Sequence, residues 1–114
     1  MKKKDISLNK NKNFRYVYNK GLSMVSPLIV TYVLENKCDM NRIGITASKK
    51  VGNAVERNRA RRIIKAAYRN CKVDLKQGYD IVFVARGKTV KSNSDKIYSA
   101  MIKQLKSLGC LKDN

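Results

Sequence analysis

The sequence contains no histidine, and this absence excludes several kinds of chemistry at once. Without imidazole there is no histidine acid or base, no Ser-His or Cys-His nucleophile pair, and no metal site with a histidine ligand. Acidic residues are also scarce, because only eight Asp and Glu are scattered over the chain. A two-metal nuclease needs several carboxylates that converge on one point, and the sequence offers no such set. We therefore do not expect the protein itself to perform catalysis.

The sequence also has few cysteines and no long apolar run. Cys38, Cys71 and Cys110 fit neither a disulfide framework nor the short paired spacing of a zinc site, so we interpret them as reduced thiols used in packing. No apolar run approaches the ~18 residues of a membrane span. The lysines at the start of the chain are followed by polar residues rather than by an apolar signal region. The sequence thus predicts a cytoplasmic protein with no membrane partner.

What the sequence has in excess is positive charge. Twenty-six Lys and Arg against eight Asp and Glu give a formal charge of +18 on 114 residues. A compact domain repels itself at this charge unless a polyanion neutralises it, so nucleic acid or an anionic membrane is the expected partner. The membrane is disfavoured because no broad apolar face accompanies the basic one. The length suits a single domain over residues 1–114, with residues 1–10 expected to form a flexible basic arm.

Hydrophobic periodicity in the first half of the chain predicts one helix and two strands. Apolar residues at helical spacing before Gly21 predict a short helix over residues 11–20. Two β-branched runs, 28–34 and 42–48, predict strands, and the polar loop between them predicts an antiparallel hairpin. A short extra strand is expected near residues 48–51.

The second half carries the clearest pattern, a long amphipathic helix. Asn53 and Glu56 have the spacing of a capping box, which predicts a helix over residues 53–71. A central strand is predicted over 79–85 and a last helix over 94–108. The order α-β-β-(β)-α-β-α predicts an α+β sandwich in which helices pack on a small mixed sheet. A fold of this class does not by itself indicate a function.

The positive charge is concentrated in the middle of the chain. Residues 42–72 hold ten basic side chains and one acidic side chain, including six of the eight arginines. Arginine suits forked contacts with phosphate, and a glycine before a helix N-terminus offers backbone N–H groups to the same ligand. A basic helix face that merely stays solvated is the competing interpretation. Six cations against one acid in residues 48–62 favour phosphate binding instead.

Three stretches of this block resemble the signature of the bacterial ribonuclease P protein component. They are Lys49–Val55, Arg57–Arg59 and Arg61–Arg62. Lys10–Gly21 resembles the first helix of that family, and Asp80–Arg86 resembles its late strand. The resemblance implies a subunit of the ribonucleoprotein that removes the 5′ leader from precursor tRNA, in which the RNA subunit performs the Mg²⁺-dependent hydrolysis and the protein broadens the substrate range. It also implies a left-handed β-α-β crossover, against the general right-handed rule.

The resemblance further implies two RNA-binding surfaces. Contacts to the catalytic RNA are expected from Lys49, Arg57, Asn58, Arg59, Arg61, Arg62 and Lys65. Contacts to the single-stranded leader are expected from Phe14, Tyr18, Tyr32, Lys50, Arg86 and Lys88. Stacking on bases suits the three aromatic residues, and a purely structural role in the core is the alternative.

The expected partners follow from the same resemblance. They are the catalytic RNA subunit and precursor tRNA, with Mg²⁺ held by the RNA rather than by a protein site, and the free protein is expected to be a monomer. A ribosomal or ribosome-assembly protein that clamps structured RNA is the alternative function.

Overall fold

The computed structural model describes residues 6–7 and 11–112, with side chains from Asn13 onward. The strands are β1 (Ile6–Ser7), β2 (Leu22–Val25), β3 (Ile29–Glu35), β4 (Arg42–Thr46) and β5 (Tyr79–Ala85). The helices are α1 (Asn11–Lys20), α2 (Ala54–Cys71), α3 (Gly87–Val90) and α4 (Ser94–Ser107), with a 3-10 turn (Lys72–Asp74) directly after α2. The three predicted helices and the predicted central strand are confirmed. Most of the basic arm predicted for residues 1–10 lies outside the described residues, and Ile6–Ser7 within it pair with β4.

The strands form one mixed sheet in the order β1-β4-β5-β3-β2. β1, β4 and β5 run parallel to one another, whereas β3 pairs antiparallel with both β5 and β2. The predicted α+β class with a small mixed sheet is therefore confirmed. Helix α2 connects two adjacent parallel strands, so β4-α2-β5 is the β-α-β unit of the fold. The left-handed crossover implied by the resemblance stays a prediction.

The predicted hairpin between β3 and β4 is wrong, because β5 lies between these two strands. Thr31 of β3 and Ile45 of β4 both pair with Phe83, one on each side of β5. The central position of β5 has a physical reason: Ile81, Val82 and Phe83 are all fully buried, so the strand is apolar on both faces. A strand of this kind is most stable in the middle of a sheet.

Besides β1, which falls within the predicted arm, and the 3-10 turn after α2, the short elements β2 and α3 were not predicted. The true hairpin partner of β3 is β2, whose four residues are all exposed and therefore lack the alternation that marks a half-buried strand. The helix α3 has only four residues, too few to show a period. The extra strand expected at 48–51 is wrong, since a turn closes there with Val51 N donating to Ser48 O at 3.0 Å.

The two faces of the sheet are covered unequally. Helices α2 and α4 pack on one face and bury Ile64, Phe83 and Met101 completely. The opposite face is contacted by α1, which buries Val17 against Val82. Because side chains alternate along a strand, neighbouring residues of β5 contribute to these two separate cores. The second core is small and leaves part of its face open to solvent.

The long helix α2 begins as its sequence predicts. Asn53 Oδ1 accepts a hydrogen bond from the Glu56 backbone N at 2.9 Å, and Glu56 Oε1 accepts one from the Asn53 backbone N at 3.0 Å. This capping box satisfies two backbone donors that the helix would otherwise leave unpaired. Along the predicted apolar face, Ala60, Ala67 and Cys71 are fully buried. The opposite face is thereby held at the surface.

A glycine is required directly after α1. At Gly21 a Cβ atom would lie 2.5 Å from Val33 O and 2.6 Å from Val17 O, both of them backbone atoms. We expect Gly21→Ala to lower the free energy of unfolding by about 1 to 3 kcal/mol, since the helix must shift away from β3. Urea denaturation measures this loss. Gly87→Ala is the matched control because a Cβ there meets nothing within 4 Å, and equal losses in both variants would contradict the prediction.

Candidate nucleic-acid interface

The solvent side of α2 carries a continuous row of positive charge. We call this face, together with Lys49 just before the helix, the basic ridge. Its members are Lys49, Arg57, Asn58, Arg59, Arg61, Arg62 and Lys65, all exposed except the half-buried Arg57. In the part of the chain that the structure describes, Arg59, Arg62 and Lys65 make no ion pair. The charges of these three residues are therefore available to an external anion.

Two arginines of the ridge are more constrained than the rest. Arg61 donates to Asn58 Oδ1 at 3.0 Å and to Ala47 O at 3.5 Å, which fixes its guanidinium over the connection between β4 and α2. The Nε atom of Arg57 is buried and has no hydrogen-bond partner among the described residues. A buried donor without a partner costs ~1–3 kcal/mol, and this atom is out of reach of an external anion unless the Arg57 side chain moves.

The three aromatic residues predicted to act together do meet in space. The rings of Tyr18 and Tyr32 are 4.7 Å apart, centroid to centroid, at 61°, and those of Phe14 and Tyr18 are 6.5 Å apart at 20°. All three are half-buried on the sheet face that α1 contacts. We call this group the aromatic cleft. Each ring is anchored by packing while part of its surface reaches solvent, and the stacking of bases on these rings stays a prediction.

The remaining predicted cations collect where the parallel strands end. β4 and β5 run in the same direction, so the turn containing Lys50 and the residues after Ala85 emerge at one edge of the sheet. We call this the carboxyl edge; α2 also begins there. Arg86 and Lys88 line an open cavity of about 510 Å³ beside the turn Val25–Pro27. In open sheets with parallel strands, ligands bind characteristically outside this edge.

One arginine of residues 42–72, Arg42, forms an ion pair within the fold. Arg42 lies on β4, where its Nε donates to Asp80 Oδ1 at 2.7 Å and its Nη2 pairs with Asp80 Oδ2. Asn36 donates to the same carboxylate at 2.9 Å. The hydrogen bond with Asp80 raises the pKa of Arg42 above its ordinary value. Counting arginines along the sequence missed this role, because Asp80 lies 38 residues away.

The described residues offer little to a metal ion. Within residues 6–7 and 11–112, no three His, Cys, Asp or Glu residues lie close enough to form a metal site. Cys71 and Cys110 are buried, as a packing role predicts, whereas Cys38 is exposed in the loop after β3, so the predicted packing role is wrong for this residue. Burial raises the pKa of the Cys110 thiol to about 11, so this thiol stays protonated at neutral pH. None of the helices in these ranges combines the length and apolarity needed to cross a bilayer.

The family model described as Ribonuclease P matches residues 1–109. The chain belongs to the ribonuclease P protein family. A ribonuclease P protein component from Clostridium botulinum (strain Loch Maree / Type A3) is 47% identical over 107 residues, which cover 93% of this chain and 96% of the relative. One from Clostridioides difficile (strain 630) is 47% identical over 102 residues, covering 89% of this chain and 86% of the relative.

A solved structure agrees with this membership. The ribonuclease P protein of Staphylococcus aureus superposes with a TM-score of 0.82 at 32% identity, covering 96% of this chain and all of the other. The chain is accordingly a protein component of the tRNA-processing ribonucleoprotein, and the alternative of a ribosomal protein is not favoured. Family membership does not assign roles to individual residues. The roles of residues in the ridge, the cleft and the carboxyl edge have to be argued from the geometry of this chain.

Proposed function

We propose that this chain, as the protein subunit of ribonuclease P, bridges the catalytic RNA and the 5′ leader of precursor tRNA while the RNA subunit cleaves the precursor. The observation that carries the proposal is that one small fold presents a basic ridge, an aromatic cleft and a group of cations at the carboxyl edge. The catalytic RNA and the precursor are both polyanions that repel each other. A protein of charge +18 reduces this repulsion wherever it is placed between them.

The basic ridge is the proposed contact to the catalytic RNA. Arg59, Arg62 and Lys65 project from a helix that is capped at its start and buried on its far side, so they approach RNA as a preformed row. Double-stranded RNA is recognised mainly through its backbone and shape, which suits a rigid row of cations.

The aromatic cleft is the proposed contact to the leader. Single-stranded bases stack on aromatic rings with ~1–3 kcal/mol per base and little dependence on sequence. Lys50, Arg86 and Lys88 at the carboxyl edge would hold the phosphates of the same strand. Mature tRNA lacks a leader, so only the precursor gains this binding energy. Contact outside the mature tRNA body also explains how a protein subunit would broaden the range of accepted substrates.

We place the Mg²⁺ of the reaction with the RNA subunit. The described residues provide no cluster of three potential ligands, so the side chains of these residues do not fit a resident Mg²⁺. The bound ion would supply charge stabilisation during hydrolysis. The protein's contribution is to neutralise phosphates and to fix the position of the leader.

Removing one ring of the cleft should weaken the binding of precursor tRNA without changing the binding of mature tRNA. Tyr32→Ala is expected to weaken precursor binding by about 5- to 150-fold, the loss of one stacked base, and to leave binding of mature tRNA unchanged. The measurement is the Kd of each tRNA for the complex of protein and catalytic RNA. Tyr16→Ala is the matched control, since it removes the same type of side chain from α1 at a position that is 59% exposed and outside the aromatic cleft. Equal losses for precursor and mature tRNA would refute the leader assignment.

A more general experiment tests the function as a whole. Cleavage of precursor tRNA by the cognate catalytic RNA at low Mg²⁺ should be strongly stimulated by the protein. Absence of stimulation by folded protein over a range of salt concentrations would refute the proposal.

A further inference from the structure

A second groove lies on the other side of the turn Val25–Pro27. This α4 groove has a volume of about 550 Å³ and separates the β2–β3 hairpin from α4. Its apolar lining comes from Met24, Val25, Leu28 and Ala100, and its cations are Lys96 and Lys103. The two lysines lie seven residues apart on one helix face, which places them about 10.5 Å apart along the helix axis. None of these residues belongs to the ridge or to the cleft.

The α4 groove is continuous with the carboxyl edge. Val25, Ser26 and Pro27 line both the α4 groove and the cavity that contains Arg86 and Lys88. A strand that leaves Arg86 therefore has to cross only this turn to reach Lys96. The turn therefore separates two connected parts of one surface, the α4 groove and the cavity at the carboxyl edge.

Hydrogen bonds on both sides hold this turn in place. On the side of the carboxyl edge, Arg86 Nη1 donates to Ser26 O at 3.1 Å and Thr89 Oγ1 donates to Leu28 O at 2.6 Å. On the side of α4, Gln104 Nε2 donates to Met24 O at 3.2 Å and to Ile29 O at 2.9 Å. Gln104 is itself only 4% exposed. The surface is therefore preorganised, which lowers the entropic cost of binding a flexible chain.

The lining favours one kind of occupant. Among the described residues that line the two cavities, four are cations and none is an acid. Apolar surface between cations suits a single strand of RNA, whose bases need apolar contacts and whose phosphates need positive charge. A second copy of this chain is disfavoured because two molecules of charge +18 repel each other. A neutral apolar ligand would make no favourable contact with the charges of Lys96 and Lys103.

We propose that the α4 groove binds the distal part of the 5′ leader, the nucleotides that lie beyond the segment held in the aromatic cleft. This inference rests on the proposed function, because it extends the path of the same strand. The leader would run from the cleft along Arg86 and Lys88, cross the turn at Pro27, and continue along Lys96 and Lys103. Long leaders would then bind more tightly than short ones.

The test uses the complex of this protein with its catalytic RNA and three tRNAs: mature tRNA, a precursor with a leader of a few nucleotides, and a precursor with a long leader. The double variant Lys96→Gln/Lys103→Gln should weaken binding of the long-leader precursor by roughly tenfold and lower its log-log salt slope by about 1.4, two single-strand phosphate contacts. Binding of the short-leader precursor should not change. The control Lys72→Gln/Lys106→Gln removes the same charge outside the groove and should affect neither precursor.

The outcomes distinguish this inference from the function on which it rests. Equal losses for short and long leaders, or equal losses in the control variant, would overturn the path through the α4 groove. If the short-leader precursor binds the wild-type complex no better than mature tRNA, the leader-binding function itself fails. A photo-crosslinking reagent on Ser99→Cys, made together with Cys38→Ser so that position 99 is the one exposed cysteine among the described residues, gives a second measurement. It should label only the distal nucleotides of the long leader, whereas the same reagent on Cys38 of the wild-type chain, at the far end of β3, should not label them.

Discussion

Replacing three cations of the basic ridge is expected to weaken binding of the catalytic RNA by about two to three orders of magnitude. The variant is Arg59→Gln/Arg62→Gln/Lys65→Gln. Each side chain is exposed and has no ion pair among the described residues, so each can give a phosphate contact worth ~1 to 1.5 kcal/mol. Glutamine preserves helix propensity, so α2 should keep its length. The measurement is the Kd of protein and catalytic RNA over a range of salt concentrations.

The salt dependence separates direct contact from general attraction. Loss of three phosphate contacts should reduce the log-log slope by about 2.7, at ~0.9 for each contact. The control Lys72→Gln/Lys76→Gln/Lys106→Gln removes the same charge from exposed positions outside the ridge. If this control loses as much affinity and slope as the ridge variant, the protein attracts RNA only through its net charge, and the ridge is not a binding surface.

Asp80→Ala is expected to give the largest loss of stability, about 2 to 4 kcal/mol of unfolding free energy, because it removes a charged acceptor of several hydrogen bonds while the Arg42 side chain left behind still reaches solvent. The carboxylate is 2% exposed and accepts hydrogen bonds from Arg42 and Asn36. Its removal leaves both donors without their acceptor at the junction of β3, β4 and β5. Since domains of this size are stable by only ~5–15 kcal/mol, the variant should be close to unfolding.

Chemical denaturation checks this expectation. Asp74→Ala is the matched control, because it changes the net charge equally at an exposed position and should cost less than about 0.5 kcal/mol. Asp80→Asn should fall between the two, since an amide oxygen still accepts a hydrogen bond without carrying charge. A loss for Asp80→Ala no larger than that for Asp74→Ala would show that Arg42 and Asn36 find other partners.

The parts of the fold that depend on nearby residues could be predicted from the sequence. The capping box of α2 joins two residues three positions apart, and the spacing of Phe14 and Tyr18 already placed them on one face of α1. The basic face of α2 follows from the same periodicity. Such local patterns are sufficient wherever a contact spans only a turn or two of helix.

The wrong predictions concern contacts between parts of the chain that are distant in sequence. The sequence placed β3 beside β4 because one loop joins them, but β5 binds both and lies more than thirty residues further along. Arg42 was counted among the cations of residues 42–72 available for phosphate, since its partner Asp80 belongs to that same distant strand and gives no local signal. The α4 groove was not foreseen either, since it needs the unpredicted strand β2 and the last helix together. Strand pairing of this kind leaves little trace in any single segment.

The strand order has a consequence for how the chain folds during synthesis. β5 is the middle strand but nearly the last to be made, so β3 and β4 have no shared neighbour until residue 85 has left the ribosome. Until then the nascent chain can form only the β2–β3 hairpin, the β1–β4 pair and helices whose apolar faces are uncovered. Contacts over such long sequence separations slow folding. The insertion of β5 should therefore be the late, cooperative step that assembles the sheet and both cores together.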